Sequence, residues 1–215
     1  MTVKFGEFDV SALSFEEVQL SKNKTVLLPK YDGVDCPKLR LPEIELTHYG
    51  VPKISQYFKT DKDRCFLQLP VSGDLAECFT AFDKFLGSNE MKHRLFKQPG
   101  DIYTYSPLLK SGSRGSYVKL KLETDYETDE IETFVFCSHR LDNGMIQRNP
   151  APMDVTSVDS FASVVDLNST VVCVIRIVKI WVIDKRYGVT IKLVRINVLP
   201  SEKKVVDCHD LDFDF

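Results

Sequence analysis

Residues Thr170–Ile183 and Val189–Leu199 are two long runs rich in Val and Ile, separated by the polar stretch Asp184-Lys185-Arg186-Tyr187-Gly188. β-Branched side chains crowd a helix and suit a pleated sheet. Two such runs flanking a polar turn predict a long hairpin, with Gly188 supplying a positive φ in the loop. Any fold for this chain must bury one face of that hairpin. Beyond the loop Val189, Ile191 and Leu193 alternate with Thr190 and Lys192, after which Arg195 and Asn197 become the polar positions. A one-residue change of phase predicts a β-bulge, a device that helps a sheet curl into a barrel. Arg176 and Lys179 interrupt the first run, so it does not read as a membrane span. Trp181, the single tryptophan, is expected as a core anchor, with a stacking platform as the lesser alternative.

Further strands are predicted at Thr25–Leu28, Lys38–Leu46, Cys65–Leu69, Ser116–Leu122 and Thr133–Cys137, punctuated by proline and glycine. In Asp74–Gly87, Leu75, Cys78, Phe79, Phe82, Phe85 and Leu86 recur at helical spacing before a glycine stop, which predicts one amphipathic helix covering a side of the sheet. The fold class expected is mostly β, with minor α. Residues 1–204 read as one domain and Leu141–Ser163 as a long excursion within it, not a linker. With 43% hydrophobic and 27% charged residues, the chain has the composition of an ordinary globular protein. The N-terminus lacks a signal-peptide core, and a soluble intracellular protein is expected. Six scattered cysteines show no metal-ligand spacing and are expected as reduced thiols.

Between Lys92 and Lys121 stand Lys92, Arg94, Lys97, Lys110, Arg114, Lys119 and Lys121, against the single acid Asp101. Aromatic residues are interleaved with them, including Phe96, Tyr103, Tyr105 and Tyr117. Cations that follow a phosphate path, together with flat rings on which any base can stack, are what single-stranded nucleic acid requires. Val118, Leu120 and Leu122 alternate with Tyr117, Lys119 and Lys121, so the strand should present one buried and one basic face. The loop Ser111–Gly115 is expected to be flexible. A solvated edge with core tyrosines is the competing reading. Glu123–Glu132 carries acids without a base and is expected as a solvated tip outside any groove, while Tyr57–Arg64 reads as a polar surface turn. Phosphate-binding loops, dinucleotide-binding glycines, metalloprotease helices and nucleophile elbows are absent from the sequence, so neither an enzyme nor a cofactor is expected.

Residues 205–215 end in Asp207-Cys208-His209-Asp210-Leu211-Asp212-Phe213-Asp214-Phe215. The four aspartates outweigh the formal net charge of −3, leaving residues 1–204 near neutrality, so any affinity for nucleic acid must come from a local patch. The segment is expected to be mobile. It resembles the acidic, aromatic-terminated tails of bacterial and bacteriophage single-stranded-DNA-binding proteins, which implies that Asp210, Asp212, Phe213, Asp214 and Phe215 recruit replication proteins. A solvated end without a role is the alternative.

Three scattered stretches, Val26-Leu27-Leu28-Pro29-Lys30-Tyr31-Asp32-Gly33, Leu39–Val51 and Ile180-Trp181-Val182 followed by Tyr187–Leu193, resemble the β-barrel single-stranded-DNA-binding proteins of large nucleocytoplasmic DNA viruses. The resemblance implies an elaborated oligonucleotide-binding (OB-like) barrel that coats single-stranded DNA without sequence preference in viral replication, recombination or repair. A β-sandwich minor capsid or other virion structural protein is the runner-up, and a replication or transcription accessory factor that touches protein is a third reading.

Overall fold

The computed structural model describes residues 2–21, 24–96, 102–141 and 143–200. Along the chain come β1 (Thr2–Lys4), β2 (Leu13–Ser21), β3 (Lys24–Tyr31), β4 (Val34–Asp35), β5 (Lys38–Glu45), α1 (Asp61–Arg64), β6 (Phe66–Pro70), α2 (Gly73–Gly87) and α3 (Asn89–Leu95). They are followed by β7 (Thr104–Tyr105), β8 (Leu109–Gly112), β9 (Gly115–Leu122), β10 (Phe134–Arg140), β11 (Ile146–Arg148), α4 (Val158–Val164), β12 (Thr170–Ile183) and β13 (Arg186–Leu199). The protein is mostly β, and the 13 strands among the described residues belong to one mixed sheet. No described helix is long and apolar enough to cross a membrane.

The antiparallel β12–β13 hairpin is the spine. The outer edge of β12 is shared by β5, at residues 170–176, and β3, at Ile180. The outer edge of β13 is shared by three parallel partners: β7 at the turn end, β9 in the middle and β10 at the far end. Short strands can share one long edge because each needs only a few ladder bonds to satisfy its backbone. Lateral branches carry β2 and β4 on β3, and β6 and β8 on β9. These pairings do not close into a ring.

The predicted bulge is present: Ile175 pairs with Leu193 and Val174 with Arg195, leaving Val194 over. A second shift between Ile177 and Lys179 flips β12, so that Ile180 becomes the buried position. The turn is tighter than expected. Ile183 pairs with Arg186, so the loop is Asp184-Lys185 alone, and the positive φ of 52° belongs to Asp184. Gly188 lies within β13 opposite Trp181, where a Cβ would sit 2.6 Å from Trp181 Cζ2 and 2.9 Å from Cε2. Its role is to admit the indole, which needs a backbone without a side chain beneath it.

One face of the hairpin is core. Val171, Cys173, Ile175, Ile177 and Ile180 of β12 and Tyr187, Val189, Ile191, Leu193 and Ile196 of β13 are buried. Against them pack Leu39 and Leu41, Leu67 and Leu69, Val118, Leu120 and Leu122, with Leu75, Phe79, Phe82 and Leu86 of α2 as the lid. Each large apolar side chain so buried contributes about 1.5–3 kcal/mol. Tyr187 is fully buried, and its hydroxyl donates to the Leu86 carbonyl at 2.6 Å, tying the hairpin to the last turn of α2.

The expected covering helix forms, but among the described residues three shorter α-helices join it. Seven residues or fewer are too few for periodicity to stand out, and what announces these helices is capping. Thr60 with Asp63 and Ser157 with Ser160 form capping boxes, and the Ser88 hydroxyl accepts from the Met91 N–H. The polar turn expected at Tyr57–Arg64 thus holds α1, whose Arg64 is buried between Asp61 and Asp159 and joins α1 to α4. The excursion at Leu141–Ser163 contributes β11, paired to β10, and most of α4.

Gly188→Val should displace the indole and destabilise the fold by about 1–3 kcal/mol. Urea unfolding followed by the emission of the single tryptophan reads both effects. A variant with wild-type midpoint and spectrum would show that Trp181 does not press on Gly188.

Candidate functional site

The hairpin's second face carries cations. Residues paired in register point to the same side of a sheet, so the pairings alone define rows. Lys121 of β9 pairs with Lys192 of β13, Lys192 with Arg176 of β12, and Arg176 with Lys38 of β5. Four adjacent strands thus place four bases in one row. The next row runs Phe134, Arg195, Val174, Arg40 across β10, β13, β12 and β5. A cleft of about 390 Å³ lies over this part, lined by Lys38, Arg40, Arg148 and Arg195 around Val172 and Val174. Arg148 and Arg195 both lie over the ring of Phe136, at 4.7 and 5.3 Å. At the far end Glu43, opposite Val172, interrupts the basic field.

Towards the turn the same face holds Lys179, paired with Thr190, and Trp181 over Gly188. A cleft of about 440 Å³ here is lined by Trp181, Lys179, Lys110, Lys119 and Lys121, with Pro107 and Leu108 among its apolar walls. None of its lining residues is an acid. Lys119 Nζ sits 3.8 Å from the centre of the Phe66 ring. That loss of water, and then the Lys121 and Lys110 ammoniums, hold the Lys119 pKa below the ordinary lysine value. Lysines gathered without an acid among them leave a field unsatisfied by the protein itself, which an incoming anion would relieve. Arg176 is the exception. Glu123, taken from the sequence as part of an exposed acidic tip, is instead half-buried and ion-paired with it.

The sequence-predicted residues divide. Lys110, Lys119 and Lys121 are brought together in the Trp181 cleft. Arg114 lines a different cleft beside His48, and its guanidinium donates to the His48 carbonyl at 3.4 Å. Lys92 and Arg94 lie on α3 and line neither of the basic clefts, and Arg94 pairs with Glu90. Lys97 and the tail residues Asp210, Asp212, Phe213, Asp214 and Phe215 lie outside the described residues. The tyrosines make contacts within the protein while staying partly exposed. Tyr103 stacks on Phe96 at 3.9 Å, and Tyr117 meets Tyr49 at 4.7 Å. Tyr105 donates to Asp83 at 2.7 Å beside Tyr187, and burial holds its phenol protonated far above the usual range. The loop expected to be flexible at Ser111–Gly115 is a tight hairpin turn clasped by Tyr49, whose hydroxyl donates to the Gly115 carbonyl at 3.1 Å. A Cβ at Gly112 would collide with that hydroxyl.

Sequence reasoning missed Lys38, Arg40, Arg148, Lys179, Lys192 and Arg195 as site residues. They lie in four different strands, and only strand register gathers them. The sequence signal was their place at the polar positions of alternating strands. Among the described residues no group of His, Cys, Asp or Glu could hold a metal ion. Burial pushes the Cys173 thiol up to about 12, and Cys36, Cys65 and Cys137 are raised by the same cause, so none of these four is primed as a nucleophile.

Positioning of the cleft depends on Asp83 of α2. Besides Tyr105, it accepts the Leu108 N–H at 2.8 Å and the Leu109 N–H at 3.0 Å, fixing the wall and the start of β8, which carries Lys110.

No family model matches the chain. Over 109 residues it is 27% identical to "Uncharacterized protein R505" of Acanthamoeba polyphaga mimivirus, a match covering 46% of this chain and 24% of that protein's length.

Asp83→Ala strips three donors of their shared acceptor and should cost about 1–3 kcal/mol in urea unfolding, whereas Tyr105→Phe, which leaves both N–H bonds in place, should cost about 1 kcal/mol or less. The reverse order would mean that the phenol, not the carboxylate, organises the loop.

Proposed function

We propose that this protein binds single-stranded DNA without sequence preference, through the basic face of the β5–β12–β13–β9 sheet. The observation that carries the reading is the four-strand row Lys121–Lys192–Arg176–Lys38 running beside a cleft of lysines around Trp181. Fixed cations satisfy phosphates of any sequence, and exposed rings favour bases that are not stacked in a duplex. The choice of DNA, and of a role in viral replication, recombination or repair, rests on the sequence resemblance, with the mimivirus match as further support for a viral origin. Within this reading the fold is an elaborated, open OB-like barrel, built on a bulged hairpin whose edges are shared by several strands. Closing it would take a pairing between the β6 and β2–β3 branches that the described strands do not make. The acidic segment 205–215 is proposed to recruit replication proteins.

Replacing Lys119, Lys121 and Lys192 together by Ala tests the reading, because these side chains stand on the wet face and their removal should leave folding intact. Affinity for oligo-dT should fall, and the slope of log affinity against log salt should flatten by up to about 0.7 for each phosphate no longer neutralised. Duplex of equal length should bind more weakly than oligo-dT to the wild type. A triple variant that binds oligo-dT as the wild type does removes the proposed interface. A wild type that ignores oligo-dT yet sediments as a large homo-assembly would favour the virion structural reading.

A further inference from the structure

We propose that single-stranded DNA runs lengthwise along the β12–β13 hairpin, with one base stacked on Trp181 and a later one on Phe134, so that the protein measures a minimum length of strand. This rests on the nucleic-acid reading above and adds to it a direction and two stacking points.

The two rings stand on the same face of the sheet. Trp181 is paired with Gly188, Lys179 with Thr190, Arg176 with Lys192 and Val174 with Arg195, and Arg195 is paired in turn with Phe134. All of these residues belong to the face opposite the buried Ile175, Ile191, Leu193 and Ile196. Phe134, the first residue of β10, is 51% exposed, whereas its neighbour Phe136 is buried beneath Arg148 and Arg195. Trp181 rests on Gly188 and also lines the lysine cleft. Between the two rings lie Lys179, Lys192, Arg176 and Arg195, with Lys121 and Lys38 flanking on either side.

From Gly188 to Arg195 is seven residues of β13, so at about 3.3 Å per residue the rings are roughly 20–23 Å apart. At the roughly 3.4 Å per nucleotide of a stacked strand, that span takes about six or seven nucleotides, and fewer if the strand is stretched. A path across the strands is less well furnished. On the β9 side of Lys119 and Lys121 the neighbouring cleft sets Asp61, Asp63 and Asp129 among its lysines, so acids interrupt the basic field there.

The test uses the full-length chain and oligo-dT running from about 2 to about 14 nucleotides, a range that brackets the span between the rings. Quenching of the single tryptophan should appear with the shortest oligonucleotides that bind. Trp181→Phe, which keeps a smaller ring on Gly188, should weaken binding at every length. Phe134→Ala should leave the shortest oligonucleotides unaffected and cost roughly 5- to 150-fold in affinity once the strand exceeds about seven nucleotides. A length-independent fall in affinity for Phe134→Ala, or none at any length, overturns the lengthwise path. Wild-type binding without tryptophan quenching overturns the Trp181 subsite while leaving the broader reading standing. Absence of oligo-dT binding by the wild type removes both.

Discussion

The ladder between β12 and β13 is the constraint on which the remainder of the structure depends. Fourteen residues on each strand give the hairpin two outer edges long enough for five other strands to pair directly with it, and the two bulges set which residues face inward along each half. A one-residue slip would exchange the faces, sending Lys192 and Arg176 into the core and Ile191 and Ile175 into water. The turn Asp184-Lys185, the indole over Gly188 and the Tyr187 bond to α2 all hold the turn end of this ladder in one register.

With the register held, packing and charge separate cleanly. The inner face is closed by α2, whose Asp83 reaches past the core to fasten the loop beneath Lys110. The outer face gathers like charges that gain nothing from one another. Lys119, held against the Phe66 ring out of water and then beside Lys121 and Lys110, has a lowered pKa, and Arg176 is the one member of the central row neutralised internally, through Glu123. A lysine partly stripped of water beside other cations is a poor contribution to stability and a good one to binding a polyanion. The proposed function takes this mismatch as its physical basis.

Much of the fold was legible in the order of residues. Alternation along β9 and β13 identified strands and their wet faces, the Val and Ile richness of β12 identified its partner, the phase change at Val194 marked a bulge, and the apolar spacing of Leu75, Phe79, Phe82 and Leu86 marked a helix. These signals are local, because the side-chain periods of strand and helix belong to the backbone itself. Local chemistry also brought Lys110, Lys119 and Lys121 to attention. It misled at Gly188, where a glycine in a turn-like setting has the same local appearance whether it serves a loop or a packing contact.

What the sequence determined by itself was therefore the hairpin, the polarity of its second strand and the existence of a separate basic strand. The tertiary structure alone decided that Lys38, Arg40, Arg148, Lys179, Lys192 and Arg195 share a face, that Glu123 leaves the acidic tip to pair with Arg176, and that Arg64 is buried between α1 and α4. The reason is physical. Side-chain direction along a strand is fixed by a two-residue period, but which strands become neighbours, and in what register, depends on edges and core surfaces that lie far apart in sequence and meet only when the chain has folded.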